Sequence, residues 1–352
     1  MTTLVTGGAG FIGSNVVNRL LQAGERVRVL DNLSRMGVER NVGWLKECHG
    51  DRFELVVADV RDASAIDAAL YGVAHVFHFA AQVAVTTSLD DPRADFAVNG
   101  LGTLNVLEAA RRMQQPPSIL YTSTNKVYGA LDDVSLEATS ARYEPTNHDL
   151  RTFGVAEDRP LEFHSPYGCS KGTADQYVLD YARTYGLAAS VLRMSCIYGP
   201  RQFGNEDQGW LAHFLIRALR GEHITIYGDG RQVRDVLFVD DLVDAMLLVR
   251  SRAQELAGRV FNVGGGPDRT LSLVELLDRV ERLTKKGTPL LFEPWRLADQ
   301  RWYVSDPRAL MRAVSWRPRI GIEEGVSRLH AWLVEQPDNR TAKNQSRVEV
   351  VP

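Results

Sequence analysis

Tyr167 and Lys171 lie four residues apart in Ser165-Pro166-Tyr167-Gly168-Cys169-Ser170-Lys171, one turn of a helix, far downstream of a glycine-rich loop that begins at Gly7. On one helical face a lysine ammonium can hold a phenol oxygen and a cofactor ribose together, its charge lowering the phenol's pKa. Such a pair is a proton-transfer device for work beside a dinucleotide. Thr124, in Tyr121-Thr122-Ser123-Thr124-Asn125-Lys126, brings a hydroxyl able to hydrogen-bond a reacting alcohol and then its ketone. Thr124, Tyr167 and Lys171 together form an acid/base set for moving a hydride between a carbinol and a nicotinamide. Alone, a Tyr-x-x-x-Lys pair is usually a surface feature of a helix. Its place after a complete dinucleotide fingerprint makes the catalytic reading the stronger one.

That fingerprint runs Gly7-Gly8-Ala9-Gly10-Phe11-Ile12-Gly13, between an apolar strand and a helical pattern. Glycines at this spacing let a tight turn bring backbone N–H groups against a pyrophosphate at a helix N-terminus. Asp31 closes the second strand, where a carboxylate can accept both ribose hydroxyls and repel a 2′-phosphate, favouring NAD over NADP. Asn32, Ser34 and Arg35 follow it, and Arg35 is close enough to blur that preference. Asp59-Val60 follows the third strand and Ala80-Ala81-Gln82 the fourth, at strand ends that face the ligand crevice of a doubly wound sheet. Asp59 is a candidate for the adenine amino group or, equally, a cap for the next helix. Asn99, Ser123 and Ser195, with Tyr167 and Lys171 themselves, complete the expected cofactor set.

The elements that must position these groups are legible up to about residue 125. Apolar runs at Thr3–Val5, Arg26–Leu30, Phe53–Val57, His75–Phe79 and Ser118–Tyr121 alternate with amphipathic stretches such as Ile12–Ala23 and Val98–Met113. Short apolar strands separated by helices predict an α/β fold with a parallel, Rossmann-type doubly wound sheet. Residues 130–164, with little periodicity, read as a long loop over the sheet's carboxyl edge. A helix from Tyr167 to Tyr185, a strand at Ala189–Arg193 running on to Ile197-Tyr198-Gly199-Pro200, a helix near 210–220, a strand at Ile224–Tyr227, a return to the core at Val236–Val239 and a helix from Leu271 to Leu283 follow. The expected division is an NAD-binding domain at 1–198 plus about 230–263, an interleaved smaller lobe at about 199–229 and 264–335, and a disordered tail at 337–352.

Composition bounds the rest. The 352 residues, 44% apolar and 24% charged, carry 41 basic and 44 acidic side chains for a net charge of −3. No basic block suits a phosphate backbone, so nucleic acid is not an expected partner. The three cysteines are widely spaced and the eight histidines form no HExxH pattern, so neither a disulfide framework nor a metal site is expected. The N-terminal residues lack the features of a signal peptide and no apolar run reaches a membrane-spanning length, giving a cytoplasmic, membrane-free expectation.

With these residues in place the chain resembles the NAD-dependent sugar-nucleotide epimerase/dehydratase family of extended short-chain dehydrogenases/reductases, from Thr3 to about Trp332. The resemblance implies the Thr-Tyr-Lys triad, NAD, a C-terminal lobe for a nucleoside diphosphate sugar, and a homodimer through the helices near 98–113 and 168–185, whose apolar stripes would equally suit burial against the sheet. Dehydratases of that family carry an Asp-Glu pair after the triad hydroxyl to protonate a leaving hydroxyl and abstract a proton, and its decarboxylases rely on an acidic residue in the same segment. Here the pair is Asn125-Lys126, which disfavours elimination.

More narrowly, Ser123–Gly129, Phe163–Gly172, Asp207–Trp210, Arg231–Leu237, Asp31–Arg35 and Gln82–Ser88 resemble the subgroup of CDP-paratose 2-epimerases (CDP-tyvelose epimerases), with Asn-Lys after the triad hydroxyl the most discriminating feature. Cys196 departs from the Asn or Ser common there. On the substrate side Arg234 and Arg301 fall where the resemblance puts diphosphate contacts, with guanidinium forks suited to them. Asp299 lies in a polar cluster with Gln300, Arg301 and, one turn earlier, Arg296. Gln82, Thr124, Asn125, Cys196, Gln202 and Gln208 are expected around the sugar, and Thr225 and Tyr227 beside the base. The expected activity is inversion of a sugar carbon, C2 favoured, through a transient ketone on a CDP-sugar. A UDP-hexose or UDP-uronate 4-epimerase is the alternative, followed by an NAD(P)H-dependent reductase and a non-catalytic Rossmann scaffold.

Overall fold

The computed structural model describes residues 2–285 and 287–339. Through the first third of the chain β1 (Thr2–Thr6), β2 (Arg26–Asp31), β3 (Phe53–Val57), β4 (Val73–His78) and β5 (Ser118–Thr124) alternate with α1 (Phe11–Gln22), α2 (Val38–His49), α3 (Ala63–Leu70), α4 (Val85–Asp90), α5 (Pro92–Phe96) and α6 (Gly102–Arg111). The hairpin of β6 (Leu136–Ala138) and β7 (Tyr143–Pro145) follows, then α7 (His148–Phe153), α8 (Ser165–Tyr185), β8 (Ala189–Met194), β9 (Cys196–Tyr198), α9 (Trp210–Arg220), β10 (Ile224–Tyr227) and β11 (Val233–Phe238). The chain ends through α10 (Val239–Ser251), β12 (Val260–Val263), β13 (Thr270–Ser272), α11 (Leu273–Thr284), β14 (Leu290–Glu293), β15 (Trp302–Tyr303), α12 (Arg308–Val314) and α13 (Ile322–Glu335).

Seven strands form one parallel sheet in the order β12-β8-β5-β4-β1-β2-β3. This is the doubly wound, Rossmann-type arrangement. Its chain order reverses between β1 and β4, which opens a crevice at their carboxyl ends. Helices cover both faces, so the strands read as apolar runs: Leu4, Val5, Val29, Leu30, Phe77, Leu120 and Val191 are all buried. A second sheet, β13-β11-β15 with β9 on β11, stands beside it, and β10 pairs with β14.

Several sequence expectations are corrected. The strand from Ala189 does not continue through Tyr198: the backbone leaves the main sheet at Met194, and Cys196-Ile197-Tyr198 pairs in parallel with Val236-Leu237-Phe238 of the second sheet. Residues 130–164 are not a structureless loop but hold the β6–β7 hairpin and α7, elements too short to show a periodicity. The helix expected to start at Val98 begins as a π-helical turn, Ala97–Leu101. Past Gln336, Pro337–Asn339 continue helically, and Asn339 accepts a hydrogen bond from Arg220 Nε (2.9 Å) and donates to the Leu333 carbonyl (2.9 Å). The remainder of the expected disordered tail lies outside the described residues.

The helix that carries Tyr167 and Lys171 is locked to the sheet by a buried ion pair. Asp175 of α8 accepts two hydrogen bonds from Arg193 of β8 (2.9 and 3.0 Å), both side chains being almost fully inaccessible. Arg193 also donates to the Tyr128 hydroxyl (3.0 Å), and that hydroxyl donates to Asn262 of β12 (2.8 Å). Truncating one member of such a pair strands a charge in the core. Asp175→Ala is expected to cost about 3–5 kcal/mol, and Asp175→Leu with Arg193→Met to recover most of it, as read by urea denaturation.

Candidate active site

β1 delivers the chain into the glycine loop with almost no spare room. Gly7 has a φ of +67°, and a Cβ there would sit 2.7 Å from the Ala80 nitrogen. A Cβ on Gly13 would lie 2.2 Å from the Gly7 carbonyl oxygen, so α1 packs directly on the turn that precedes it. Gly10 caps α1 with no side-chain hydrogen bond, leaving first-turn N–H groups, with Phe11 and Ile12 among them, for an outside acceptor. Beneath the loop His78 is hydrogen-bonded to Thr6 (2.7 Å) and Thr103 (3.0 Å), and the Thr6 hydroxyl also accepts from the Ala80 nitrogen (3.3 Å). Complete burial holds the imidazole neutral, pushing its pKa down to about 3.

Asp31 ends β2 as expected, accepting from the backbone nitrogens of Ala9 (3.0 Å) and Leu33 (2.9 Å), with its pKa raised by burial. Asn32 accepts from the Ser34 hydroxyl (2.7 Å) and donates to Asp59 (2.9 Å). Asp59 is not the cap of the next helix. Asp62 takes that place, accepting from Ser64 and Ala65, while Asp59 is held well below the usual carboxylate range by hydrogen bonds from Arg61. Val60 is buried against Gly102, and its carbonyl accepts from Asn105 (2.9 Å). Ala81 is half-buried. Gln82, expected to reach cofactor and sugar, turns its side-chain amide back onto Ala84, and its backbone nitrogen donates to Asn99 (2.9 Å).

Asn99 sits in the π-helical turn, a feature frequent at functional sites. Its amide also donates to Ser170 (3.0 Å) and Asp95 (3.2 Å), joining the Gln82 loop to α8. At the start of α8, Ser165 takes a positive φ of 76° and its hydroxyl accepts from the Gly168 nitrogen, while Ser88 of α4 accepts from the Tyr167 nitrogen (3.1 Å). These contacts fix where the phenol points. Ser88 and Ser170 were not foreseen from sequence. Ser170 shares the Tyr167 face at a spacing of three, but nothing marks a serine 79 residues upstream.

The Thr124 hydroxyl donates to Asn125 Oδ1 (3.3 Å) and accepts from the Lys126 nitrogen (3.2 Å). Tyr167 has its pKa pushed up to about 12, burial outweighing the lowering influence of Thr124. The Lys171 ammonium donates to the Thr122 carbonyl (2.6 Å) and lies over the Tyr121 ring (4.3 Å), and burial lowers its pKa to about 7. The expected lowering of the phenol by the lysine charge is therefore corrected: in this structure the opposing contribution comes from Thr124. Ser123 is buried with an unpartnered hydroxyl. Ser195, expected on the cofactor side, spends its hydroxyl on the buried Asp235, which also accepts from Ser305 and from the Gly266 nitrogen.

On the far side, Asp299 accepts from Arg234 (2.8 Å) and Lys126 (3.4 Å), with Cys196 close by and bonded to Trp210 Nε1 (3.4 Å). Asn125 donates to Gln300 (2.9 Å). Gln202 is buried, donating to the Ile197 carbonyl (3.1 Å) while its own amide oxygen is unpartnered. Arg301 does not join this group: it is exposed and lies over Tyr143 and Trp295. Arg296 instead stacks over Tyr227 (3.8 Å), and Tyr227 shares a strand face with Thr225. Its signal in the sequence was the one-turn spacing to Asp299. Arg35, expected on the cofactor side, donates to Gln208, expected around the sugar. Among the described residues no cluster of three or more metal-ligating side chains occurs and no helix is long and apolar enough to cross a membrane.

The residues present fit a dinucleotide: a cradle that a single Cβ would fill, an open helix N-terminus, a strand-end carboxylate and an orphaned hydroxyl at Ser123. Gly13→Ala is expected to weaken NAD binding about a hundredfold or more, close to 3 kcal/mol, as read by equilibrium dialysis with a folded, monodisperse protein. The neutral His78 gives a second outcome. Its folded pKa lies below the unfolded value, so its contribution is present above about pH 6.5 and is lost as pH falls toward 3. Stability is expected to drop by up to about 1.4 kcal/mol per pH unit between pH 6 and 4 from this group, and His78→Gln to flatten that slope in urea melts.

A sequence profile of the NAD dependent epimerase/dehydratase family matches residues 3–264. The CDP-paratose 2-epimerase of Salmonella typhi is 40% identical over 339 residues, covering 94% of this chain and 99% of that one. The UDP-glucose 4-epimerase of Mycolicibacterium smegmatis is 36% identical over 329 residues, covering 93% and 97%. The crystal structure of the UDP-glucose 4-epimerase of Thermus thermophilus in complex with NAD superposes with a TM-score of 0.79 at 34% identity, covering 95% of this chain and 99% of that one. The chain belongs to the NAD dependent epimerase/dehydratase family, as an epimerase that works with NAD.

Proposed function

We propose that this enzyme inverts a carbon of a nucleoside diphosphate sugar, with a CDP-sugar of the paratose/tyvelose type and C2 as the favoured substrate and position. The observation that carries the reading is the pairing of an intact Thr124-Tyr167-Lys171 set with Asn125 and Lys126 where an elimination enzyme needs carboxylates. Asn125 is engaged with Gln300 and Lys126 with Asp299. Asp299 is held below its usual pKa by Lys126 and Arg234 against the pull of burial, so it does not serve as a proton donor near neutrality. The 40% identity to a CDP-paratose 2-epimerase supports the same reading, and that to a UDP-glucose 4-epimerase keeps 4-inversion of a UDP-sugar as the second reading.

The seven-stranded body holds the cofactor, through Gly7–Gly13, Asp31 and Ser123, and the second sheet with β10, β14 and their helices holds the nucleotide sugar. When bound, NAD supplies a reversible hydride acceptor. With the positive charge of the bound cofactor and of Lys171 opposing the burial that raises its pKa, Tyr167 would act as phenolate, taking the proton of the sugar hydroxyl and returning it, while Thr124 orients that oxygen. Arg234 and Arg296 offer guanidinium groups to the diphosphate, and Tyr227 and Thr225 a surface for the base. A homodimer is proposed through the helices near 98–113 and 168–185, which leave Leu101, Tyr177 and Tyr185 exposed.

Incubation of the NAD-loaded protein with CDP- and UDP-sugars in deuterated water, followed by NMR, tests this. The expected product is inverted at one carbon with no deuterium there, and substantial incorporation would refute the mechanism. Tyr167→Phe is expected to lower kcat by about 10²–10⁴ while leaving NAD binding intact.

A further inference from the structure

Two consecutive residues behind the triad hydroxyl grip three consecutive residues from the other end of the chain. Lys126 Nζ donates to the Ala298 carbonyl (3.1 Å) and to Asp299 Oδ1 (3.4 Å), while Asn125 Nδ2 donates to Gln300 Oε1 (2.9 Å). Gln300, fully buried, closes the loop by donating to the Gly129 carbonyl (2.7 Å). Ala298 takes a φ of +58°, a left-handed conformation that alanine disfavours and that surrounding contacts must impose. Lys126 is the group that receives the carbonyl so presented. The tie runs between the two sheets: Lys126 follows β5 of the main sheet, while the gripped segment leads into β15, paired with β11 of the second. Arg234 of β11 meets the same Asp299 carboxylate (2.8 Å).

Two cations on one carboxylate leave this largely buried corner with an excess positive charge, beside Cys196 and Trp210. Lys126 spends its ammonium on Ala298 and Asp299, and so links the chain just behind Thr124 to a segment of the lobe proposed above to hold the sugar. Inversion without net oxidation makes a particular demand on that lobe. The ketone must turn over in place, and any that escapes takes with it the carbon to which the hydride should return.

We infer that Lys126 is a positioning residue that, through Asp299 and Ala298, holds the 298–300 segment closed on the keto-sugar until inversion is complete. This rests on the epimerase reading above. Lys126→Met deletes the ammonium while keeping an unbranched side chain, and Asp299→Asn deletes its partner charge without touching Lys126.

The test uses the full chain with its bound cofactor, the same CDP- and UDP-sugar panel, and two readouts: steady-state kcat and KM, and the 340 nm absorbance of protein freed of substrate by gel filtration. Each single variant is expected to lose about tenfold in kcat, more than any change in KM, and to accumulate bound NADH that the unsubstituted protein does not. Because both act through one tie, the double variant is expected to be no worse than the poorer single. A purely structural role would lower stability without stranding reducing equivalents on the protein. If Lys126→Met does not fold, Asp299→Asn alone decides. Unchanged bound NADH, or a loss confined to KM, overturns the inference. Absence of turnover by the unsubstituted protein with every sugar overturns the epimerase reading itself, and this inference with it.

Discussion

The ion pair between Asp175 and Arg193 is the constraint from which the rest of the site follows. Asp175 stands one turn beyond Lys171 on α8, itself one turn beyond Tyr167, so whatever fixes the aspartate fixes the rotation and depth of both catalytic candidates. It also acts on them electrically: its charge favours the ammonium form of Lys171, against a burial effect that would otherwise neutralise it further. Because Arg193 reaches on to Tyr128 and Asn262, one guanidinium sets the relation between α8, β8, the turn after β5 and β12. The desolvation of two charges is offset only while every one of these partners is present.

Around that anchor the site is assembled from ends of elements. Asp31 ends β2, Ser123 and Thr124 end β5, and Ala80 and Gln82 follow β4. A parallel sheet brings such ends together at one edge, which is why residues far apart in sequence share a crevice. The second sheet grows from the same edge. The backbone needs only Ser195 to pass from β8 in one sheet to β9 in the other, and the Ser195 hydroxyl is held by Asp235 of β11. Among the described residues the buried carboxylate at this crossing has hydroxyl and amide donors and no cation partner, an arrangement that sets position rather than charge.

What was legible in the sequence was what has a period. Buried parallel strands announce themselves as apolar runs, and the Tyr167–Lys171 spacing is a helical spacing, so the sheet, its order of elements and the triad could be read directly. The missed features depend on which distant groups meet. Nothing local distinguishes Asp59 from Asp62 as the cap of α3, or tells that Arg35 will find Gln208, or that Arg301 will lie among aromatic rings while Arg296 takes the place beside Tyr227. The β6–β7 hairpin failed for a different reason: three-residue strands are shorter than the window over which alternation can be seen.

The π-helical turn at Ala97–Leu101 has a consequence for how such a fold can be altered. A π turn holds one residue more than the α-helix on either side needs, and the helix would be locally better bonded without it. That extra residue swings Asn99 out of the helical register, so that one amide reaches the Gln82 loop, Asp95 and Ser170 at once. Any attempt to regularise this helix, by deletion or by idealised redesign, would gain local order by dismantling the junction between three separate segments. The irregularity marks a stretch whose length is more tightly constrained than its composition.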